Sequence, residues 1–570
     1  MSDERFKKLI AVLIAVTTVF AGLLAQLEAE AGARDDRAAR DAKKASLAAF
    51  GQQIRGDAEA SYHYYTAFEQ YRELETLKEA AEARNDEKSA LRYETMGMSL
   101  LDTSPLLSGK DPSGKAYFDY ENEYEPDLAR FQADNYYVGV QTNLQNFKAA
   151  SKVKDGWDYK SNAYVFHLTL LAVSLFLFGL AGTIATAATR MIFLVSGLVI
   201  SGLAVAMAAS TYFMPVPDLR EREGAIAAYA KGMGEIHQGK NKEAIAEFDK
   251  AIAASPDYAD AYLERGNANL YAETPDLTKA LADYQKALEL DPSNTPVYTE
   301  ITYCHYALGQ FEESIKYCQA GLREQPENLQ LQFQMGLATL AAGREKEARD
   351  IYQKGLDLAA ATVATAKKEG QEPPSEIFAN LTEAGDLLDS LGQAVEAKKG
   401  TPPPDKVVGK HEEVAKACEQ LSVQTVSWEM ALEGTGTPPQ GALTAKLSNE
   451  YFTDTSIPDK PKAAGEGNVF TGSPKQISIN FDYEGMKKGQ KVVYRTFLNG
   501  EELDSWRWEE IWEDDQPGEW EEWLYPAYSE AFRFEPGSYY VEVFVDYQLA
   551  LYGNFEVVTP GEEPEEPEEE

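Results

Sequence analysis

The chain has 570 residues, enough for about four modules. Its 54 Lys and Arg against 93 Asp and Glu leave a net charge of −39, which repels phosphate backbones and excludes a nucleic-acid binder. Three Cys and five His exclude disulfide scaffolds and zinc-finger arrays, and three long charge-poor apolar runs exclude a purely soluble protein.

Residues 1–27 form a short tail and the first apolar run. Leu9 to Leu27 is 19 residues without a charge. At about 1.5 Å per residue it nearly crosses a hydrocarbon core of about 30 Å. A cleaved signal peptide is the alternative, with Ala29-Glu30-Ala31 as its small-x-small site. Residues 28–162 read as a helical hairpin or stalk. Tyr64, Phe68, Tyr71, Leu74 and Leu77 mark one helical face, Ser104-Pro105 and residues 110–114 break it, and Tyr137, Val140, Leu144 and Phe147 mark a returning helix. Residues 163–217 form a transmembrane hairpin, strongest over Tyr164–Ile184 and Ile192–Tyr212. Its turn is expected near Arg190, the one charge between Lys160 and Asp218. One span, a Tyr-rich stalk and two closing spans loosely resemble an uncharacterised bacterial three-span membrane family. That resemblance implies no activity.

Three spans put 28–162 and 218–570 on one side of the membrane. Arg5, Lys7, Lys8 and Arg190 in the short segments favour an extracytoplasmic bulk. Arg34, Arg37, Arg40, Lys43 and Lys44 favour the cytoplasmic alternative.

Residues 218–360 contain an internal repeat. Prolines 256, 292 and 326 close successive units, 36 and 34 residues apart. Ahead of them stand Gly232, Ala244, Phe248 and Ala251; then Tyr262, Gly266, Ala280, Tyr284 and Ala287; then Tyr298, Ser314, Cys318 and Gly321. A fourth unit has Gly336, Ala348, Tyr352 and Gly355. This pattern resembles the tetratricopeptide (TPR) repeat, which implies an α-solenoid of helix pairs whose concave groove binds a protein or peptide. By register Tyr229, Met233, Asn267, Tyr303, Tyr306, Phe333 and Leu337 face that groove, or are buried in part by the helix after residue 375. Thr302 replaces the small Gly in unit three, so a looser helix pair is expected there. Glu273-Thr274-Pro275 lengthen the turn of unit two.

Residues 361–433 read as a helical extension or cap, with helices over 375–397 and about 406–421. Residues 434–473, rich in Gly, Pro, Thr and Lys, read as a linker. In 474–559 the period becomes two, with Ile477, Ile479 and Phe481, an Asn499-Gly500 turn, Phe532 and Phe534, and Tyr539, Val541, Val543 and Val545. A β-sandwich, immunoglobulin-like in general build, is expected. Residues 501–522 carry 11 acidic groups and one Arg, with Trp506, Trp508, Trp512, Trp520 and Trp523 in or beside them. These rings form either a ligand surface for sugars or cations or part of the core. Alternation points Trp506 and Trp508 inward, and Arg507, Glu509 and Glu510 outward. Residues 560–570, with seven Glu, read as a disordered tail.

No nucleotide-loop, nucleophile-elbow or zinc-protease motif occurs, so no catalytic, cofactor-binding or metal residue is assigned. Cys304 and Cys318 read as core. The multidomain membrane protein expected is a scaffold or adaptor. Its partners are the lipid bilayer, a protein or peptide in the groove and, through stalk or spans, a second copy. A receptor whose ligand sits on the sandwich or stalk is the alternative.

Overall fold

The computed structural model describes residues 3–120, 124–216, 222–439, 441, 443–453, 468–471, 474, 477–524 and 533–559. Phe532 and the tail 560–570 lie outside them. The chain divides into two units, Met1–Asn294 and Thr295–Glu570.

In the first unit, α1 (Asp3–Ser61) runs unbroken through the first apolar run into the stalk. No proline interrupts it. A π-helical stretch, Tyr62–Phe68, leads into α2 (Glu69–Ala83). The head continues with α3 (Glu87–Thr103), α4 (Pro105–Ser108) and α5 (Leu128–Gln132), around buried Phe68, Leu106, Phe118 and Phe131. A second π-helical stretch, Ala133–Tyr137, opens α6 (Val138–Thr183), which returns antiparallel along α1. Then α7 (Ala187–Phe213) follows. Among the described residues, three helices are long and apolar enough to cross a membrane. The hairpin turn falls at residues 184–186, earlier than expected. Arg190 lies instead in the first turn of α7, 2.7 Å from Asp3 Oδ1 and over the Phe6 ring.

The unit closes with two helix pairs, α8 (Glu223–His237) with α9 (Asn241–Ala254), and α10 (Ala259–Leu270) with α11 (Leu277–Leu290). A Cβ on Gly232 would stand 2.6 Å from the Phe248 ring, and one on Gly266 2.7 Å from the Tyr284 ring. Each pair closes because a residue without a side chain meets an aromatic one. Gly239 turns the first pair at φ +71°, a conformation only Gly adopts without cost. The second pair has the longer connection 271–276, and Asp276 caps α11 by accepting from Lys279 N at 3.0 Å.

The second unit begins with α12 (Val297–Ala307) and α13 (Phe311–Glu324), then α14 (Leu329–Ala341) and α15 (Glu345–Lys368). Thr302 does not loosen its pair. It is fully buried, donates to Thr299 O at 2.8 Å and also bonds Gln334, while Cys318 stands where the other pairs carry Phe or Tyr. Volume is exchanged across the contact instead of lost. Next come α16 (Ser375–Glu396) and α17 (His411–Gly434), the latter later and longer than expected.

Among the described residues, two sheets complete this unit. One has the order β1 (Lys446–Thr453), β3 (Ser478–Glu484), β7 (Gly518–Trp523). The other has β2 (Asn468–Thr471), β9 (Gln548–Val558), β8 (Gly537–Val545), β4 (Lys491–Leu498) and β5 (Glu501–Glu502), with β6 (Trp508–Ile511) also on β4. They share a core of Ile479, Phe481, Tyr494, Phe534, Tyr539, Val541 and Phe555. Two strands, β1 and β2, arise inside the expected linker. β2 runs parallel to β9, unlike the antiparallel immunoglobulin build.

Candidate partner-binding site

In the first unit the first-helix face of the repeats is occupied by the chain itself. Tyr137 at the head of α6 stacks on His237 with centroids 4.3 Å apart, and His237 Nε2 lies 2.8 Å from Gln132 Oε1. Val138 fills the gap left by Gly234, where a Cβ would stand 2.6 Å from it. Further along α6, Gln145 accepts from the Tyr258 hydroxyl at 2.9 Å, and Ala149 packs on the Ile226–Tyr229 cluster. Lys148 pairs with Asp260 at 2.8 Å and Lys152 with Asp291 at 3.6 Å.

Consequently Tyr229 is only 4% exposed, and Met233 is half-buried. Asn267 turns back into its own pair, accepting from the Tyr284 hydroxyl at 2.8 Å and donating to Glu264 at 3.0 Å. Burial raises the Glu264 carboxyl, and holds the phenols of Tyr229 and Tyr258 far above their ordinary range.

Beside this contact lies a cleft of ≈ 620 Å³. Phe147 and Val153 of α6, with Ile226 and Leu290 of the repeats, supply its apolar wall. Its rim is charged, with Lys148, Lys152 and Arg222 facing Asp155, Asp257, Asp260 and Asp291. The Ser255 hydroxyl holds the Asp257 carboxyl low, and the Ser293 hydroxyl does the same for Asp291. The volume suits a side-chain cluster or a small ligand. Sequence reasoning missed this site. Its one local signal was Lys148 and Lys152, a turn apart on a helix.

In the second unit Tyr306, Phe333 and Leu337 are core. They join Leu381, Leu388 and Leu391 of α16 and Cys418 and Leu421 of α17 in one cluster. Of the groove residues expected there, only Tyr303 keeps a half-exposed ring. Cys304, Cys318 and Cys418 are buried thiols, each raised to about 12 by burial.

The tryptophan block divides. Trp506 lies edge-on to Phe534 and Trp512 to Tyr483, both in the core. Trp508 stacks on Tyr494 at 4.6 Å, half-buried, and Trp520 donates to Glu522 at 3.2 Å. Trp523 is half-buried. Glu510 does not point outward: it shares the buried side of β6 with Trp508 and accepts from the Tyr494 hydroxyl at 2.7 Å. That hydrogen bond offsets the cost of turning a carboxylate inward.

Models of the tetratricopeptide repeat match residues 229–295 and 305–361, and a second such model matches 272–332. The chain therefore carries tetratricopeptide repeats. It is 31% identical over 117 residues to the Hsp70-Hsp90 organizing protein 3 of Arabidopsis thaliana, covering 20% of this chain and 19% of that one. It is 37% identical over 89 residues to the STIP1 homolog of Dictyostelium discoideum, covering 16% and 15%. The TPR repeat-containing protein YpiA of Bacillus subtilis is 28% identical over 120 residues, covering 21% and 28%. The chain thus spans under a third of the length of these relatives. Among solved structures, YrrB, a TPR protein with an unusual peptide-binding site, aligns with 20% identity and a TM-score of 0.23, covering 32% of this chain and 93% of that one.

Proposed function

We propose that this chain is a membrane-anchored, non-enzymatic adaptor whose repeats hold a protein or peptide partner. The observation that carries it is the partly apolar, charge-rimmed cleft between α6 and the first two repeats. The same α6 continues into the second apolar run, so a partner held there is held near the membrane. The Arabidopsis protein it resembles over the repeats is named for organizing Hsp70 and Hsp90, which supports a tethering role. Tethering works by raising local concentration without new chemistry. The large segments lie on the extracytoplasmic face in this reading.

The test is affinity purification of the full-length protein from detergent-solubilised membranes. One saturable protein partner is expected. Leu290→Ser, at a half-buried position on the repeat wall of the cleft, should weaken it by about tenfold, or about 1.4 kcal/mol. Retention of the same partner by the variant would move the site elsewhere.

A further inference from the structure

The adaptor reading leaves open what kind of segment the repeats grip, and the chain's own helix answers that. Where α6 lies on repeats one and two it presents Lys148 and Lys152 one helical turn apart to Asp260 and Asp291, and Gln145 to Tyr258. Take α6 away and, among the described residues, the cleft wall left on the repeats carries Asp257, Asp260 and Asp291 against one cation, Arg222. Half-buried Glu264 stands close by. That face is acidic and asks for a cationic helix.

The occupant also fits incompletely. Between α6 and the repeats the ≈ 620 Å³ cleft remains, and the apolar side chain that α6 packs on the Ile226–Tyr229 cluster is the small Ala149. Both lysines are more than half exposed, at 56% and 61%, so their ion pairs exchange readily with water.

We infer that the face of repeats one and two is a receptor for a basic amphipathic helix with two cationic side chains one turn apart, and that α6 is a built-in occupant which such a partner displaces. This inference rests on the adaptor reading and adds the partner's chemistry and its regulation. A partner helix with a bulky apolar residue where α6 has Ala149 fills the cleft that α6 leaves open. Occupancy by α6 lowers apparent affinity by the fraction of time the face is covered.

The experiment uses the full-length protein in lipid nanodiscs and, as probe, a fluorescent peptide of residues 138–155. Wild-type protein should bind it weakly. The Lys148→Glu/Lys152→Glu protein, whose own helix now repels Asp260 and Asp291, should bind it about tenfold more tightly. Reversing Lys148 and Lys152 in the peptide, with Lys154 kept, should abolish binding to either protein. Adding Asp260→Lys/Asp291→Lys to the double variant restores opposite charges across the contact. It should return hydrogen-exchange protection of α8 and α10 to the wild-type level, which separates opening from misfolding.

Equal peptide affinity in wild type and double variant overturns the inference, as does binding indifferent to the peptide lysines. If the opened protein ignores the peptide yet keeps its Leu290-dependent membrane partner, the inference falls and the adaptor reading stands. Loss of partner and peptide alike from correctly protected protein removes both.

Discussion

At the scale of single residues, burial and pairing decide whether a side chain is structural or available. Arg495 shows this in the second unit. Its guanidinium bonds Glu542 at 2.8 Å and Glu502 at 3.0 Å, with Asp386, Asp389 and Glu429 nearby on α16 and α17. One cation serves more carboxylates than it can neutralise. Burial therefore raises Glu542 to about 7 despite the ion pair, and burial beside Glu510 raises Glu522 to about 7. A carboxyl group raised in the folded state keeps a proton that the unfolded chain has released. Stability from these two groups is full below their ordinary value of 4.5 and is lost as pH rises through about 7. Denaturation followed by tryptophan fluorescence should show the sheets more stable at about pH 5.5 than at about pH 8. Glu542→Gln should reduce that difference, and an unchanged difference would place the titration on other groups. Arg495→Met, which strands buried Glu542 and half-buried Glu502, should cost about 3 kcal/mol at neutral pH.

Thr302 is a second residue-scale case. Thr302→Gly opens a cavity and deletes the bonds to Thr299 and Gln334, and should cost about 2 kcal/mol by chemical denaturation. The double change Thr302→Gly/Cys318→Tyr recreates the Gly-aromatic contact of the other pairs and should recover part of that loss. Additive costs would mean that the two positions do not share volume.

At the scale of elements, the helix pairs were legible because three of them carry the same spacing of Gly against aromatic, and the fourth keeps the register with Thr302 and Cys318. Unit two's longer turn was legible too, since two extra residues bring Asp276 to the cap of α11. Asp276→Ala should lower stability by about 1 kcal/mol in thermal melts. Phe248→Ala, beneath the Gly232 contact, should cost about 3–5 kcal/mol. The strands β1 and β2 were not legible. β1, Lys446–Thr453, is mostly polar, and its Phe452 is held by packing on Phe555 across the sheets. Alternation that exists only once a distant strand is in place leaves little trace in composition. Glu510 was misplaced for a related reason: period two identifies a strand's two faces, and its partner on β4 decides which is buried.

At the scale of the whole molecule, the proposed membrane topology is testable because the native thiols are silent. Cys304, Cys318 and Cys418 are buried, so single cysteines introduced at Ser113 and Lys346 report alone. Both should react with an impermeant reagent from the same face of sealed vesicles. Labelling from opposite faces would rule out three spans.

The amino-acid order by itself determined the features written in local periods: three apolar runs, the repeat with its size-matched contacts, and the change to period two near residue 477. It also put seven residues on a groove by register. Only the tertiary structure decided that α6 covers Tyr229, that α16 and α17 enclose Phe333 and Leu337, and that a cleft remains beside Lys148 and Lys152. The reason is physical. A helix's periodicity states which of its faces is apolar. Whether that face meets a partner or another part of the same chain depends on packing between segments about 80–110 residues apart for α6 and α8 or α10, a separation no local spacing encodes.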